Sequence, residues 1–501
     1  MLRTIVLSLV VVAVTGRVAL AGGVAPVPLT LADAVKCAVE KNLDLRVERY
    51  TPAQQVAEYQ KSLGIYDPNL QLSATYSDTT ANSSFFLSPP ARQASQDTLL
   101  NAAVSQLFFT GATATLGFTN NYAGGSANSL NGLPSYWQSS LAFTVSQPLL
   151  KNFGRETTEF SIESARLGTY AALEQFNATL NALVAQVRTE YFNLYSLREE
   201  REVKRVSLSL ARKILAETRG RVAAGVMPAM EILNAEFGVA TREQELIDAE
   251  RAVQDQDDLL CRLLQIRTPG ELLPVDPPST APYVVSEQDA VDRALFGRPE
   301  LRELRRNLEL LELQTRVAAN QTRPDLTLSA SAATIGLATT YPHTMDRLTS
   351  GEYPDWTVGL SLTIPLGNRV AENQYRKNRL QVEQALFKLR SQEQVVTNDV
   401  RSAIRALRAS YKQLEVTARG RSYAEQRFTA YVRKSAVGLA TNKDVLDVEN
   451  DLATAKDNQI KAQVAYANAM TQLWKSTGEL LEQQRIRMVE QDATKLYGKV
   501  R

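Results

Sequence analysis

The chain has 501 residues, 44% hydrophobic, 22% charged and 7% aromatic, a composition that folds into two or three domains rather than staying disordered. Lysine and arginine total 56 against 54 acidic residues, and the resulting net charge of +2 gives no field for nucleic acid. One histidine and two cysteines are too few for a multi-ligand zinc site or a Cys/His nucleophile pair, so no cofactor or metal is expected and His343 reads as an exposed turn residue in Tyr-Pro-His-Thr.

Residues 1–21 join Arg3 in a short basic start, an apolar run over 5–14 and Ala19-Leu20-Ala21 before Gly22-Gly23, the pattern of a cleaved secretory signal. Gly16-Arg17 cuts that run short of the roughly 20 apolar residues a spanning helix needs. No later stretch is long enough either, so passage through a bilayer would have to use strands.

The rest of the chain is duplicated. Pro68-Asn-Leu-Gln-Leu-Ser-Ala74 and Pro324-Asp-Leu-Thr-Leu-Ser-Ala330 match at five of seven positions with an offset of 256, and Asp33-Ala34-Val35, Ala38 and Leu45 map upstream onto Asp289-Ala290-Val291, Ala294 and Leu301 at the same offset. Further on, Pro148 answers to Pro365 and Gly225 to Gly438. The Pro68-to-Pro148 interval is 80 residues against 41 for Pro324-to-Pro365, so the first copy carries an insert there. Five prolines within 269–282 form an extended connector between copies 22–268 and 283–480, with a tail over 481–501.

Each copy reads as helix, strands, very long helix, tip and return helix. Strands fall within 69–148 and within 325–366: Leu70, Leu72, Ala74 and Tyr76 alternate with polar neighbours, as do Leu141, Phe143 and Val145 and, in the second copy, Leu326, Leu328, Ala330 and Ala332 with Trp356, Val358, Leu360, Leu362 and Ile364. Segments 98–109 and 112–122 are either a further hairpin or part of an outer loop. Such alternation fits a soluble sheet with one buried face or a barrel with lipid outside and water inside. The secretory signal, the helices with no globular purpose, and Trp137 and Trp356 at the loop-side starts of corresponding strands, where an aromatic belt would lie, favour the barrel. Two or four such strands cannot close a barrel alone, so the chain must oligomerise.

No Gly or Pro occurs in the 51 residues 169–219 or the 52 residues 368–419, which predicts long helices over about 155–224 and 369–437, each on the order of 100 Å at roughly 1.5 Å per residue. Leu173, Phe176, Leu180, Leu183 and Val187, and Val400, Ile404, Leu407, Tyr411 and Leu414, step by three and four as in a coiled coil. Return helices over 229–266 and 442–477 follow tips built on Gly225 and Gly438, with Pro228 suited to a helix start and Thr441-x-x-Asp444 to a capping box.

The signal, the duplicated strand-plus-helical-hairpin plan and the Gly438-to-Asp447 tip (Gly-x5-Asp-Val-Leu-Asp) together resemble the TolC-like outer membrane efflux proteins. The resemblance covers nearly the whole mature chain. It implies an α plus transmembrane β-barrel fold: a homotrimer sharing a 12-stranded barrel, four strands per chain, above a periplasmic α-helical tunnel. The implied function is a passive exit duct in the Gram-negative outer membrane, not an enzyme. A periplasmic adaptor (membrane fusion protein) and an inner-membrane pump or ABC transporter would drive drugs or metal ions through it. The alternatives are the outer-membrane component of a type I protein secretion system or a secreted structural coiled-coil protein.

By the same resemblance Asp444 and Asp447, three residues apart on one helical face, ring the periplasmic aperture; equally, Asp444 serves as a helix cap. Glu231 takes the place of Asp444 in the first copy, with Lys443 as a potential partner. Ser435 and Ala440 stand where family members with a described latch have tyrosine and arginine. Ala224, Gly225, Val226, Val437, Gly438 and Leu439 become adaptor-docking tips, being small and apolar at a solvent-facing turn. Cys37 and Cys261 form a candidate disulfide if they meet in the oxidising periplasm.

Overall fold

A computed structural model describes residues 26–82, 92–125, 133–437, 439–486 and 490–498. The leader expected over 1–21 and the tip glycine Gly438 lie outside them. The first half runs β1 (Val27–Leu29), α1 (Leu31–Lys41), α2 (Leu43–Glu48), α3 (Tyr50–Leu63), β2 (Asn69–Asn82), β3 (Arg92–Leu107), β4 (Thr113–Gly124), β5 (Ser135–Pro148), α4 (Arg155–Thr158), α5 (Phe160–Ala223) and α6 (Met230–Leu264). After β6 (Leu272–Pro274) come α7 (Glu287–Gly297), α8 (Pro299–Gln321), β7 (Asp325–Ala338), α9 (Tyr341–Ser350), β8 (Pro354–Thr363), α10 (Arg369–Ala436), α11 (Asn442–Thr477), α12 (Leu480–Gln483) and α13 (Glu490–Gly498).

The Gly/Pro-free runs become α5, 64 residues long, and α10, 68 residues long. Their buried seams are Phe176, Leu180, Val184, Val187, Tyr191 and Leu194 on α5, and Val396, Val400, Ile404, Leu407 and Leu414 on α10. Val184, not Leu183, carries the first seam, because a strict 3.5-residue repeat drifts around a 3.6-residue helix.

Two compact units emerge. One comprises the described parts of Met1–Asn42, Leu183–Tyr283 and Ala406–Thr471. Here the Pro-rich connector is pinned rather than slack. β6 pairs in parallel with β1, and the fully buried Tyr191 hydroxyl donates to Leu29 O (2.9 Å) while accepting from Asp276 N (3.0 Å). Tyr466 repeats the device a few residues on, donating to Ala281 O (2.7 Å) and accepting from Tyr283 N (3.0 Å). Prolines leave this segment without a regular ladder, so side-chain hydroxyls supply the missing hydrogen bonds.

The second unit comprises the described parts of Leu43–Ala182, Val284–Arg405 and Gln472–Arg501. It holds one antiparallel up-and-down sheet in the order β2-β3-β4-β5-β7-β8. The segment that the sequence left open therefore supplies two full strands, β3 and β4, and the sheet has six strands where the resemblance implies four per chain. That hairpin accounts for the longer first copy. The cross-strand pair Asn120 and Ser139 is buried and bonded at 2.7 Å, and α9 packs on β7 and β5. Gly336 makes room for it: a Cβ there would sit 2.1 Å from Thr344 O. His343 is exposed as expected but sits in the first turn of α9 rather than in a turn, because Thr340 and Pro342 start a helix there.

Candidate functional site at the sheet face and the helical tips

In an antiparallel ladder, residues directly opposite share a face. From the register, Leu70, Leu72, Ala74 and Tyr76 of β2 share theirs with Val104, Ala102, Leu100 and Thr98 of β3, then with Leu116, Phe118, Asn120 and Tyr122 of β4. The series continues through Phe143, Leu141, Ser139 and Trp137 of β5 and Ala332 and Ala330 of β7 to Trp356, Val358 and Leu360 of β8. Most of the large apolar side chains of this series are exposed, Trp356 by 75%. The opposite face carries Ser73, Thr75, Asn101, Thr119, Thr144, Ser331 and Thr357. Trp137 and Trp356 are each the third residue of their strand and lie on the apolar face, with Trp137 packed between the tilted ring of Tyr122 (5.0 Å) and the edge-on ring of Tyr341 (5.3 Å). An apolar outside, a wet inside and aromatic rings near one rim are the properties of a membrane-barrel wall.

The tips are built by local rules. At the end of α5, Val226 N bonds Arg221 O (2.9 Å) and Gly225 N bonds Val222 O (2.9 Å), the Schellman pair, with Gly225 at φ +73° where a side chain would strain. The second tip repeats the six-to-one bond from Leu439 N to Lys434 O (2.9 Å). α11 opens with a complete capping box: Asp444 N donates to Thr441 Oγ1 (3.1 Å) while Thr441 N donates to Asp444 Oδ2 (2.8 Å). The Thr441 hydroxyl and amide together hold the Asp444 carboxyl below the usual carboxylate range.

Ionic and polar links then bind the helices within this unit. Lys204–Glu245 (3.0 Å), Arg212–Glu243 (2.6 Å) and Arg219–Glu236 (2.7 Å) join α5 to α6, and Arg427–Asp451 (2.7 Å) joins α10 to α11. Between the two hairpins, Asn442 Nδ2 donates to the buried Thr218 Oγ1 (2.7 Å), and Arg242, itself bonded to Glu245 (2.9 Å), reaches the buried Glu449 (3.5 Å). Around this clasp Glu231, Asn234, Phe237, Arg242, Lys443 and Asp447 line a groove of about 500 Å³.

The structure thus brings Glu231 and Asp447 to one groove and leaves Asp444 in its cap. Glu231 and Lys443 line the same groove. Val226 (74%) and Leu439 (77%) are exposed, and Val437 likewise. Met230, Leu233 and Phe237 add an exposed apolar stripe at helical spacing along α6 that sequence reading passed over; its i, i+3, i+7 pattern was the available signal. Cys37 and Cys261 are both free. The Cys261 thiol turns to its own helix, 3.9 Å from Asp257 Oδ2, and burial pushes its pKa up.

Residues 53–264 and 290–479 match the family described as outer membrane efflux protein. The chain belongs to this family. Among its relatives is the pyoverdine export outer membrane protein OpmQ of Pseudomonas aeruginosa, 23% identical over 316 residues, which cover 62% of this chain and 65% of that protein. The outer-membrane channel OprN superposes with a TM-score of 0.66 at 16% identity, covering 90% of both chains. The Campylobacter jejuni CmeC outer membrane channel superposes at 0.64 with 14% identity, covering 94% of this chain and 89% of the other. The fold is therefore TolC-like, and the family is one of the Gram-negative outer membrane. The family is one of channels, not enzymes.

Proposed function

We propose that three copies of this chain form the passive outer-membrane duct of a tripartite assembly, fed by an inner-membrane pump through a periplasmic adaptor and exporting small molecules. Residues 22–268 and 283–480 act as the two repeats of the duct wall, 1–21 as the leader and 481–501 as a tail. The observation that carries this reading is the six-stranded sheet with one continuous apolar face, whose edge strands, β2 and β8, have no partner within the chain among the described residues. Open edges are intolerable in lipid, and six strands are fewer than the eight of the smallest membrane barrels. Closure by further copies removes the edges.

The exposed Val226, Val437 and Leu439 serve as the adaptor-docking surface, with Ala224 and Gly225 completing the first turn and Gly438 assigned to the same role. Glu231 and Asp447 face the aperture, and Asp444, three residues before Asp447, adds charge while capping α11. A relative named for pyoverdine export favours small-molecule cargo over protein cargo.

Two measurements test this. In planar bilayers Asp444→Ala with Asp447→Ala should lower cation preference; unchanged selectivity would leave Asp444 a cap and nothing more. Leu439→Asp should abolish export in cells while trimer yield stays at the wild-type level, and normal export would remove the tips from the docking role.

A further inference from the structure

We propose that β3 and β4 are wall strands of the membrane barrel, so that three copies close 18 strands instead of 12 and the duct is correspondingly wider where it crosses the membrane. The proposal rests on the trimeric-duct reading above. Its first support is the ladder: β3 pairs with β2 over 14 residues, and β4 pairs with β3 and with β5 over 12 each, without a bulge. At 12 residues, about 3.3 Å per residue and a tilt of about 40°, such a strand crosses about 30 Å, the thickness of a bilayer core. A segment folded away as an outer loop needs neither that length nor that register.

The second support is the side-chain pattern. Leu100 (44% exposed) and Leu116 (49%) sit on the same face as Leu72 and Phe143, in rows that run across the sheet, while Asn101 and Thr119 face the other way. Two polar-backed strands between β2 and β5 therefore carry the apolar rows on across the sheet, with Thr98 and Asn120 as the polar positions on that face.

Anchoring is the third. The turn between β3 and β4 lies at the inner rim, where Thr110 O accepts from Gln147 Nε2 of β5 (3.1 Å) and from Gly154 N (3.1 Å). Gly111 there has φ +86°, and a Cβ would stand 2.6 Å from Asn152 O, so the turn is fitted to the start of the helical segment. Gln106 Nε2 of β3 likewise donates to Tyr66 O (3.3 Å) just before β2.

Closure follows from direction and pattern. β2 leaves the inner rim and β8 returns to it, so β8 of one copy lies antiparallel to β2 of the next. In that pairing Leu362, Leu360, Val358 and Trp356 meet Leu70, Leu72, Ala74 and Tyr76 on the lipid side. With strands about 4.8 Å apart and tilted about 40°, 18 strands give a backbone cylinder about 36 Å across against about 24 Å for 12, roughly doubling the cross-section.

Single cysteines at Leu72, Leu100, Leu116, Leu141, Asn101 and Thr119, in a Cys37→Ser, Cys261→Ser background, are labelled with a fluorophore in trimers reconstituted in phosphatidylcholine vesicles. Lipid-borne nitroxide should quench positions 72, 100, 116 and 141 alike and spare 101 and 119. Quenching at 72 and 141 but not at 100 and 116 overturns the proposal and leaves the trimeric duct standing. A protein that stays a soluble monomer with no lipid quenching anywhere overturns both. Cryo-electron microscopy of the unmodified trimer gives an independent reading: 18 strands support the inference, and 12 refute it whether they come from three copies or two.

Discussion

Leu141 offers a direct test of which face meets lipid. It is the seventh of the 14 residues of β5, opposite Phe118 and Thr334 on the apolar face, and so lies near the bilayer midplane. Its neighbour Ala142 points to the wet side among Gly117 and Ala333, and an added side chain at Gly117 would meet open space. An arginine on the lipid face at midplane costs about 2–4 kcal/mol, or roughly 6–12 kcal/mol for a trimer carrying three, whereas an arginine in a wet lumen costs about 0.5 kcal/mol or less. Leu141→Arg should therefore collapse the yield of heat-modifiable oligomer and shift the urea midpoint in vesicles by ~1 M or more at typical m-values. Ala142→Arg should fold as the wild type does and raise anion permeability. Equal destabilisation by the two would mean that the apolar face is covered by protein, and the wall assignment would fall.

Tyr191→Phe leaves Asp276 N without its acceptor while Leu29 O keeps Val275 N (3.1 Å), so a loss of about 1–3 kcal/mol and faster proteolysis within 269–283 are expected; an unchanged digestion rate would show that the connector is held otherwise. Arg242→Gln strands the buried Glu449 and should cost about 2–3 kcal/mol, with Glu449→Gln recovering part of it in the double variant; strictly additive effects would refute the clasp. Burial first, and Glu200 second, raise the Asp457 carboxyl pKa, so in the fold its ionised form is the penalised one. That cost is present above the folded pKa and disappears as pH falls through it, so Asp457→Asn should raise the apparent Tm by ~2 °C at about pH 7.5 and leave it unchanged near pH 3. A stabilisation that persists in acid would contradict the cause given.

The parts of the fold that sequence reveals are those with short-range causes. Absence of Gly and Pro marked α5 and α10, the Thr441–Asp444 spacing marked a cap that the structure forms in full, and Gly225 marked a left-handed turn. Long-range pairings left no such mark. Arg242 and Glu449 are 207 residues apart, Tyr191 and Asp276 are 85 apart, and nothing in either neighbourhood names the other. β3 and β4 are ambiguous in the sequence because Thr98 and Asn120 interrupt the apolar alternation. Three-four stepping is locally indistinguishable from a true 3.6-residue period, so it points to Leu183 where the buried position is Val184.

The β3–β4 hairpin begins and ends its excursion in step with its neighbours, so the up-down alternation of the sheet has the same parity with it as without it. Girth in this architecture can thus change by whole hairpins, through one insertion in one half of a duplicated gene, while the polypeptide still leaves the membrane on the side where its helices begin.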